Sequence, residues 1–461
     1  MNSPHASLTP VHVGAPPLHG SLPPEGANSP WGGPAVNCAS HASLTPVRFG
    51  APPLQGSLPG AAAPASAGLH AEMTLGVMGG GQLGRMFVHA AQRMGYFTAV
   101  LDPDHLSPAG RVSHHHIQTA YTDPQGLHLL AQRCVAVTTE FENVPASALQ
   151  ELARNVVVSP AASAVAIAQD RAEEKAHFAG CGVPVAPYAV IETPAQLASV
   201  AADLLPGILK TTRMGYDGKG QIRVADRAAL GTAWDTLRNV PCVLEKMLPL
   251  QLECSVIVAR GADGTCVHLP VQRNLHRDGI LAVTEVYEGN LPPALTERAV
   301  AATKSIANNL QYVGVLCVEF FVLDPASPAA QALGGLVVNE MAPRPHNSGH
   351  YSIDACDVSQ FELQVRTLAN LPLTQPRQHS PAIMLNLLGD LWPGVAEGGS
   401  ATGTPPWDAV LALPGTFLHL YGKQTASKGR KMGHLTVTAA SVAQVRATAL
   451  AAAGILGMAP F

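Results

Sequence analysis

Charge and aromatic side chains are what this chain has least of. Of its 461 residues only 13% are Asp, Glu, Lys or Arg and 5% are Phe, Trp or Tyr, and the formal net charge is -4. A balance so sparse and so nearly even gives no general attraction to nucleic acid or to an anionic membrane, so a small anionic ligand needs a local basic cluster. Paired cysteines are missing as well. The eight cysteines stand singly, none at metal-finger spacing, and Cys317 sits in an apolar run, which points to buried free thiols in a reducing compartment. No apolar run reaches about eighteen residues, and the first residues lack a charged start followed by an apolar core, so neither a membrane span nor a signal peptide is expected and the setting is cytoplasmic. The Walker spacing G-x-x-x-x-G-K-[ST] is also absent. What remains is 47% hydrophobic, enough for the cores of about three domains.

Residues 1–72 differ in kind from the rest, being rich in Pro, Gly, Ala and Ser and almost uncharged. His-Ala-Ser-Leu-Thr-Pro-Val at residues 5–11 recurs 36 residues later at 41–47. Two proline-loaded copies cannot stack into a core, so a disordered extension is expected. From Thr74 the texture is α/β: a strand at 75–78, a glycine turn, a helix over 82–94 with Leu83, Met86, Phe87 and Ala90 at helical spacing, and strands at 97–101, 134–139 and 156–158. This β-α-β series implies a parallel sheet. Asp170 to Glu173 reads as a capping box opening a helix that Gly182 and Pro184 end. A longer helix is expected over 296–310, strands at 382–388 and 416–421, and a closing helix over 441–452.

Gly79 to Gly84 fit G-x-G-x-x-G between a strand and a helix, and Asp102 ends the next strand, where a dinucleotide fold places its ribose-binding acid. The pattern by itself says only that a backbone turn approaches an anion at a helix N-terminus; an NAD-dependent dehydrogenase is one reading and a substrate phosphate is another. The run His114-His115-His116 is not a metal set, because neighbouring side chains in a strand point to alternate faces.

Four clusters in the middle of the chain are better explained together. Lys210 ends a strand and is followed by Gly215, Tyr216, Asp217, Gly218, Lys219, Gly220 and Gln221, whose three glycines allow a flap to close over phosphate oxygens; alone it also reads as a solvated hairpin. An apolar strand leads into Glu245, Lys246, Met247 and Leu248, with Glu253 beyond, as an adenine pocket built of backbone groups requires, or as an exposed strand end does. Glu319 and Glu340 each fall in an apolar strand. Buried carboxylates are paired or metal-bound, and with Asn339 and Asn347 near them they make an oxygen-rich site suited to magnesium, with salt bridges to arginine as the alternative. Residues 340–350 then carry Arg344 between two prolines, a guanidinium held ready for developing negative charge.

In this order the clusters resemble the ATP-grasp superfamily. Gly-Tyr-Asp-Gly-Lys-Gly-Gln at 215–221, Asn-Leu-His-Arg-Asp-Gly-Ile at 274–280 and Ala-Pro-Arg-Pro-His-Asn-Ser-Gly-His at 342–350 together resemble its 5-(carboxyamino)imidazole ribonucleotide synthetase family. Gly-Gly-Gln-Leu-Gly-Arg-Met at 80–86 and Gly-Arg-Lys-Met-Gly-His-Leu at 429–435 agree with it. The resemblance runs from Met73 to at least residue 440 and gives residues 1–72 no place.

That resemblance implies an α/β and α+β protein: a Rossmann-like N-terminal domain at 73–170, an ATP-grasp domain at 171–375 and a small C-terminal domain at 376–461 around one cleft. It implies an ATP-dependent, carbon–nitrogen bond-forming ligase that carboxylates 5-aminoimidazole ribonucleotide with bicarbonate, through carboxyphosphate, in purine biosynthesis. Arg171 and Lys210 would meet ATP phosphates under the flap at 215–221, Glu245, Lys246, Met247 and Leu248 would line the adenine, and Glu253 would take the ribose. His276 and Asn339 would complete that site, and Glu319 and Glu340 would hold magnesium. Gln82, Leu83, Lys423, Arg430 and Lys431 would grip the substrate phosphate, although Arg430 and Lys431 alone read as a solvated turn. Glu140, ahead of Glu142, would face the aminoimidazole, with Tyr216 and Asp217. Arg344 and Lys210 would be catalytic. A homodimer is implied, with no nucleic acid or membrane partner. The rivals are the formate-dependent glycinamide ribonucleotide transformylase, biotin carboxylase, the dehydrogenase and a non-catalytic nucleotide-binding regulator.

The working protein is expected to start at or near Met73. Mass spectrometry of the protein from its native host is expected to find that N-terminus; abundant peptides from residues 1–72 would contradict it.

Overall fold

The computed structural model describes residues 73–215, 220–396 and 398–461. The expected extension at 1–72 and the flap residues Tyr216, Asp217, Gly218 and Lys219 lie outside the described residues. Five strands, β1 (Thr74–Met78), β2 (Phe97–Leu101), β3 (His115–Ile117), β4 (Ala136–Thr139) and β5 (Val157–Val158), form a parallel sheet in the order β3-β2-β1-β4-β5. Four helices go with it: α1 (Gln82–Arg93), α2 (Pro124–Arg133), α3 (Ala146–Leu152) and α4 (Ala162–Ala168). The expected apolar stripe of α1 is inward, with Leu83, Met86 and Phe87 buried. Of the three histidines, His114 accepts from the Thr98 amide at 3.2 Å, His115 is exposed and His116 meets the Asp102 carbonyl at 3.1 Å, so they do not converge.

After α5 (Arg171–Gly180) comes an antiparallel four-stranded sheet in the order β6-β9-β7-β8, built from β6 (Tyr188–Ile191), β7 (Gly207–Thr211), β8 (Gln221–Val224) and β9 (Cys242–Lys246), with α6 (Pro194–Ala198) between β6 and β7. Helix α7 (Arg227–Thr236) covers it through Leu230 and Trp234. Asp170 caps α5 through the amides of Ala172 and Glu173. The reciprocal two-bond capping box forms instead at α6, between Thr193 and Gln196.

The remaining strands make one sheet of nine: β10 (Leu250–Arg260), β11 (Cys266–His268), β12 (Gln272–Arg277), β13 (Ile280–Val286), β14 (Gly314–Leu323), β15 (Leu336–Ala342), β16 (Ala382–Leu388), β17 (Thr416–Leu420) and β18 (Lys431–Thr438). Its order is β15-β14-β10-β12-β13-β16-β18-β17, with β11 on β10. The C-terminal region therefore does not build a sheet of its own: β16 pairs with β13 through Val283 and Leu385 and extends the middle sheet. The helices of this part are α8 (Pro293–Asn309), α9 (Pro328–Leu333), α10 (Ser352–Ala355), α11 (Gln360–Leu368), α12 (Trp407–Leu411) and α13 (Val442–Ile455). Helix α11 joins the halves, since its Val365 and Leu368 share a core with Leu75 and Phe87. Cys38 lies outside the described residues; the other seven cysteines are free, five of them buried and Cys181 and Cys266 half-buried. Among the described residues no helix is long and apolar enough to cross a membrane.

The glycines of the β1–α1 turn are required by space. Gly79 has φ +101°, and a Cβ on Gly84 would lie 2.7 Å from the Gly79 carbonyl oxygen and 3.2 Å from Ala109 Cβ. Alanine gains up to about 1 kcal/mol of helix propensity over glycine, but forcing backbone apart in a packed core costs about 1–3 kcal/mol. Gly84→Ala is therefore expected to lower the unfolding free energy measured in urea by a net amount of up to about 2 kcal/mol; a variant more stable than the parent would refute the close approach.

Candidate active site

A cleft of about 490 Å³ opens where the N-terminal sheet, α5, the β14–β15 pair and β18 meet, reached by Gln82, Glu140, Glu142, Arg171, Glu340 and Lys431. Its negative centre comes from strand register. Glu319 on β14 and Glu340 on β15 are direct cross-strand partners, so two carboxylates stand side by side. Glu319 is raised to about 7, by burial first and by Glu340 second. Glu340 goes the other way: burial works to raise it, but Arg171 and Lys210 outweigh that and hold it below the usual range. Arg171 Nη1 lies 3.0 Å from Glu340 Oε2, and His346 Nε2 lies 3.1 Å from Glu319 Oε1. Burial keeps His346 well below its ordinary value and neutral. Its Nδ1 accepts from the Ser348 amide at 3.3 Å, which places the ring proton on Nε2, the nitrogen nearer Glu319.

Arg344 is held as its flanking prolines led one to expect, though by a residue of another domain: Nε donates to Glu142 Oε2 at 2.6 Å. Burial favours the neutral Glu142 carboxyl, but Arg344 beside it keeps it ionised, below the ordinary glutamate value. Glu142 is thus the arginine's partner, a pairing that sequence reasoning did not draw. Glu140 accepts from the amides of Gly81 and Gly84, the latter at 2.7 Å, and so caps the α1 N-terminus. Asp102 accepts from the Gly80 amide at 2.7 Å and the Tyr121 hydroxyl at 2.6 Å. Asp102, the acid that a dinucleotide reading would leave for a ribose, is thus spent on the turn itself.

Behind the cleft, Glu245 on β9 takes Lys210 at 3.1 Å and Lys175 at 3.2 Å, all three residues being buried. Burial alone would raise its carboxyl; Lys210 and Lys175 outweigh that and hold it at about 2. The buried Lys175 ammonium is itself lowered, by burial first. Lys210 and Glu245, expected at the phosphates and at the adenine, are therefore joined with Lys175 in one buried ion triad. Glu253 and His276 also meet, as an ion pair across β10 and β12. Asn339 is half-buried with its side-chain oxygen unpartnered. Lys246 ends β9, and Met247 and Leu248 follow on the link to the large sheet, with Leu248 against Leu323 and Val337. Gly215 lines the cleft at the edge of the flap, and Gly220 returns to β7 through its carbonyl, which accepts from Thr211 at 2.9 Å; Gln221 then pairs with Lys210 in the ladder.

The basic C-terminal residues divide. Lys431 lines the cleft, beside Gln82 and Leu83. Lys423 donates to the Lys431 carbonyl at 2.7 Å, and Arg430 is exposed, bonded to the Thr425 carbonyl. Sequence reasoning assigned no role to Glu174 or Lys175. Glu174 is buried, accepts from the Met341 amide at 2.7 Å and is raised to about 8 by burial and then by Glu340. The signal was helical spacing: Arg171, Glu174 and Lys175 share one face of α5, an odd set for a buried face.

The Glu245 triad sets an acid dependence. Its folded pKa lies below the ordinary value of about 4.3, so the stability it brings is complete above that value and is lost as pH falls toward about 2. Glu245→Gln leaves two buried ammonium groups without a counter-charge and is expected to lose about 3–5 kcal/mol in urea unfolding at pH 7, with a flatter acid limb. A loss under about 1 kcal/mol would refute the triad.

Family models match in three consecutive stretches: the ribonucleotide synthetase preATP-grasp domain at 72–169, the ATP-grasp domain at 176–361 and the phosphoribosylaminoimidazole carboxylase C-terminal domain at 382–448. The N5-carboxyaminoimidazole ribonucleotide synthase of Brucella melitensis is 41% identical over 370 residues, 79% of this chain and 95% of the relative. That of Bacillus subtilis is 37% identical over 363 residues, covering 78% and 90%. The crystal structure of the Aspergillus clavatus synthase with ADP and 5-aminoimidazole ribonucleotide superposes with TM-score 0.74 at 31% identity, covering 84% of this chain and 99% of that one. With the dinucleotide reading excluded by Asp102 and Glu140, and with all three domain types present in order, this chain belongs to the N5-carboxyaminoimidazole ribonucleotide synthase family.

Proposed function

We propose that the cleft performs the family reaction, ATP-dependent carboxylation of the exocyclic amine of 5-aminoimidazole ribonucleotide, by phosphorylating bicarbonate to carboxyphosphate. The observation that carries it is the cross-strand pair Glu319–Glu340, flanked by Arg171 on one side and by Arg344 with Glu142 on the other. In this reading the domains run over 73–170, 171–375 and 376–461, and the protein is a cytoplasmic homodimer.

Magnesium fits the donors present: two adjacent carboxylates, one raised by burial and mutual repulsion, and the unpartnered Asn339 oxygen, all hard ligands. Bound by Glu319 and Glu340, it supplies charge neutralisation on the ATP phosphates. Phosphoryl transfer needs positioning and charge more than covalent help. Arg171 and Lys210 supply positive potential on the nucleotide side, with the flap at 215–221 above. Glu245, Lys246, Met247 and Leu248 line the adenine, and Glu253 with His276 takes the ribose. Arg344, immobilised by Glu142, faces the charge that develops as bicarbonate attacks the γ-phosphoryl group. Carboxyphosphate hydrolyses readily, so flap closure that excludes water is part of the chemistry. Lys431, with Gln82 and Leu83, takes the ribonucleotide phosphate at the cleft wall, Lys423 and Arg430 add positive potential to that side, and Glu140, Tyr216 and Asp217 face the aminoimidazole.

Phosphate release from ATP with magnesium and bicarbonate is expected to depend on 5-aminoimidazole ribonucleotide. It is expected to fall about 10²–10³-fold in Arg344→Ala, the usual loss for a group stabilising transition-state charge, and comparably in Glu340→Ala. Release with formate and glycinamide ribonucleotide instead would move the assignment to the transformylase, and failure to bind ATP would remove the ATP-grasp reading of the cleft.

A further inference from the structure

A second cluster of metal-ligating side chains lies outside the cleft, between α10 and the β17–β18 hairpin. His419 and His434 are direct cross-strand partners, and Asp354 of α10 meets His419 Nε2 through Oδ2 at 2.9 Å. One ligand atom from each of the three residues can be chosen so that all lie within 4.8 Å of one another. His434 is fully buried; its Nδ1 meets the Tyr421 hydroxyl at 3.0 Å, and its Nε2 has no partner among the described residues. Thr436, two residues along and on the same face of β18, also leaves its buried hydroxyl unpartnered. A buried polar atom without a partner is costly, and the open Nε2 of His434 within this cluster points to a ligand there.

We propose that Asp354, His419 and His434 form a binding site for a divalent transition metal of the zinc type, separate from the magnesium carboxylates. Two imidazoles and one carboxylate are a borderline donor set that suits zinc or cobalt and leaves a fourth position for water. With Nδ1–H donating to the Tyr421 oxygen, His434 presents the Nε2 lone pair, and Tyr421 acts as the outer partner that fixes the tautomer. The rings of His419 and His434 are stacked, with centroids 4.4 Å apart and planes 11° off parallel. Ligation turns the more exposed His419 out of the stack and replaces its bond to Asp354 by a shared ion. The metal then ties the edge strand β17 to α10, next to His350, which lines the cleft and lies 4.7 Å from the His434 ring.

The test uses the chelator-stripped full chain carrying Glu319→Gln and Glu340→Gln, so that the cleft carboxylates are silent, titrated with cobalt(II) alone. One equivalent with the intense visible bands of four-coordinate cobalt is expected, and His419→Gln or Asp354→Asn in the same background is expected to weaken binding at least about ten-fold. A pale six-coordinate spectrum, or affinity unchanged by both substitutions, would overturn the site. Independently, zinc is expected to raise the Tm of the wild-type chain and not of His419→Gln; equal rises in the two would overturn it as well.

Discussion

Two glutamates set side by side on adjacent strands repel, and much of this molecule is arranged around that fact. Glu319 and Glu340 are fixed opposite one another by the β14–β15 register, so neither can move away without breaking the ladder. Compensation comes from three directions: Arg171 at the start of α5, the His346 ring in the loop after β15 with its Nε2 3.1 Å from Glu319, and the field of Lys210 from the smaller sheet. Each of these is itself supported. Lys210 is anchored by Glu245, and His346 by Ser348, whose hydroxyl meets that of Ser255 on β10 at 2.8 Å. The protein groups reduce this repulsion without removing it, so the pair is a poor stabilising device.

The N-terminal sheet shows how one backbone motif serves a purpose other than its commonest. Its strand order and glycine turn are those of a dinucleotide fold, yet the first-turn amides meet the protein's own carboxylates. Asp102 and Glu140 fill the anion-favouring end of α1, and Tyr121 completes the bonding of Asp102. The turn is thereby rigid before any substrate arrives, and Gln82 and Leu83 are presented to the cleft from a fixed edge.

How much of this was legible in the sequence follows from the distance over which each interaction acts. The strand ends that deliver Lys210, Glu245, Glu319 and Glu340 could be read locally, because each polar residue interrupts an apolar run. The helix bounds at 82–93 and the strands at 382–388 and 416–420 follow from period and turn residues. What could not be read were partners far along the chain. Arg344 and Glu142 are 202 residues apart, and nothing near either one selects Glu142 over Glu140. The joining of β16 to β13 was hidden for the same reason: an apolar strand carries its buried faces in its sequence but not the identity of its neighbour. Lys175 was missed because a lysine on a helix reads as solvated, and only the tertiary fold buries it against Glu245.

The long-range pairs that escaped sequence reading are also those that make the cleft one unit. Glu142 belongs to the N-terminal domain and Arg344 to the loop after β15, so the guanidinium is oriented only when these two parts are docked. Helix α11 enforces that docking: it follows the Arg344 loop in sequence yet packs its Val365 and Leu368 into the core of the first sheet. Its Gln360 accepts from the His346 amide at 2.8 Å and donates to the His346 carbonyl at 2.8 Å. The apolar contact that fixes the domains and the polar contacts that shape the catalytic loop therefore lie on one nine-residue helix. A change in how α11 sits on the first sheet must shift His346 and, through it, Glu319. The geometry of the charged centre is in this sense set by hydrophobic packing some residues away, where burial is strong and non-directional, while the directional hydrogen bonds convert that placement into the alignment of particular atoms.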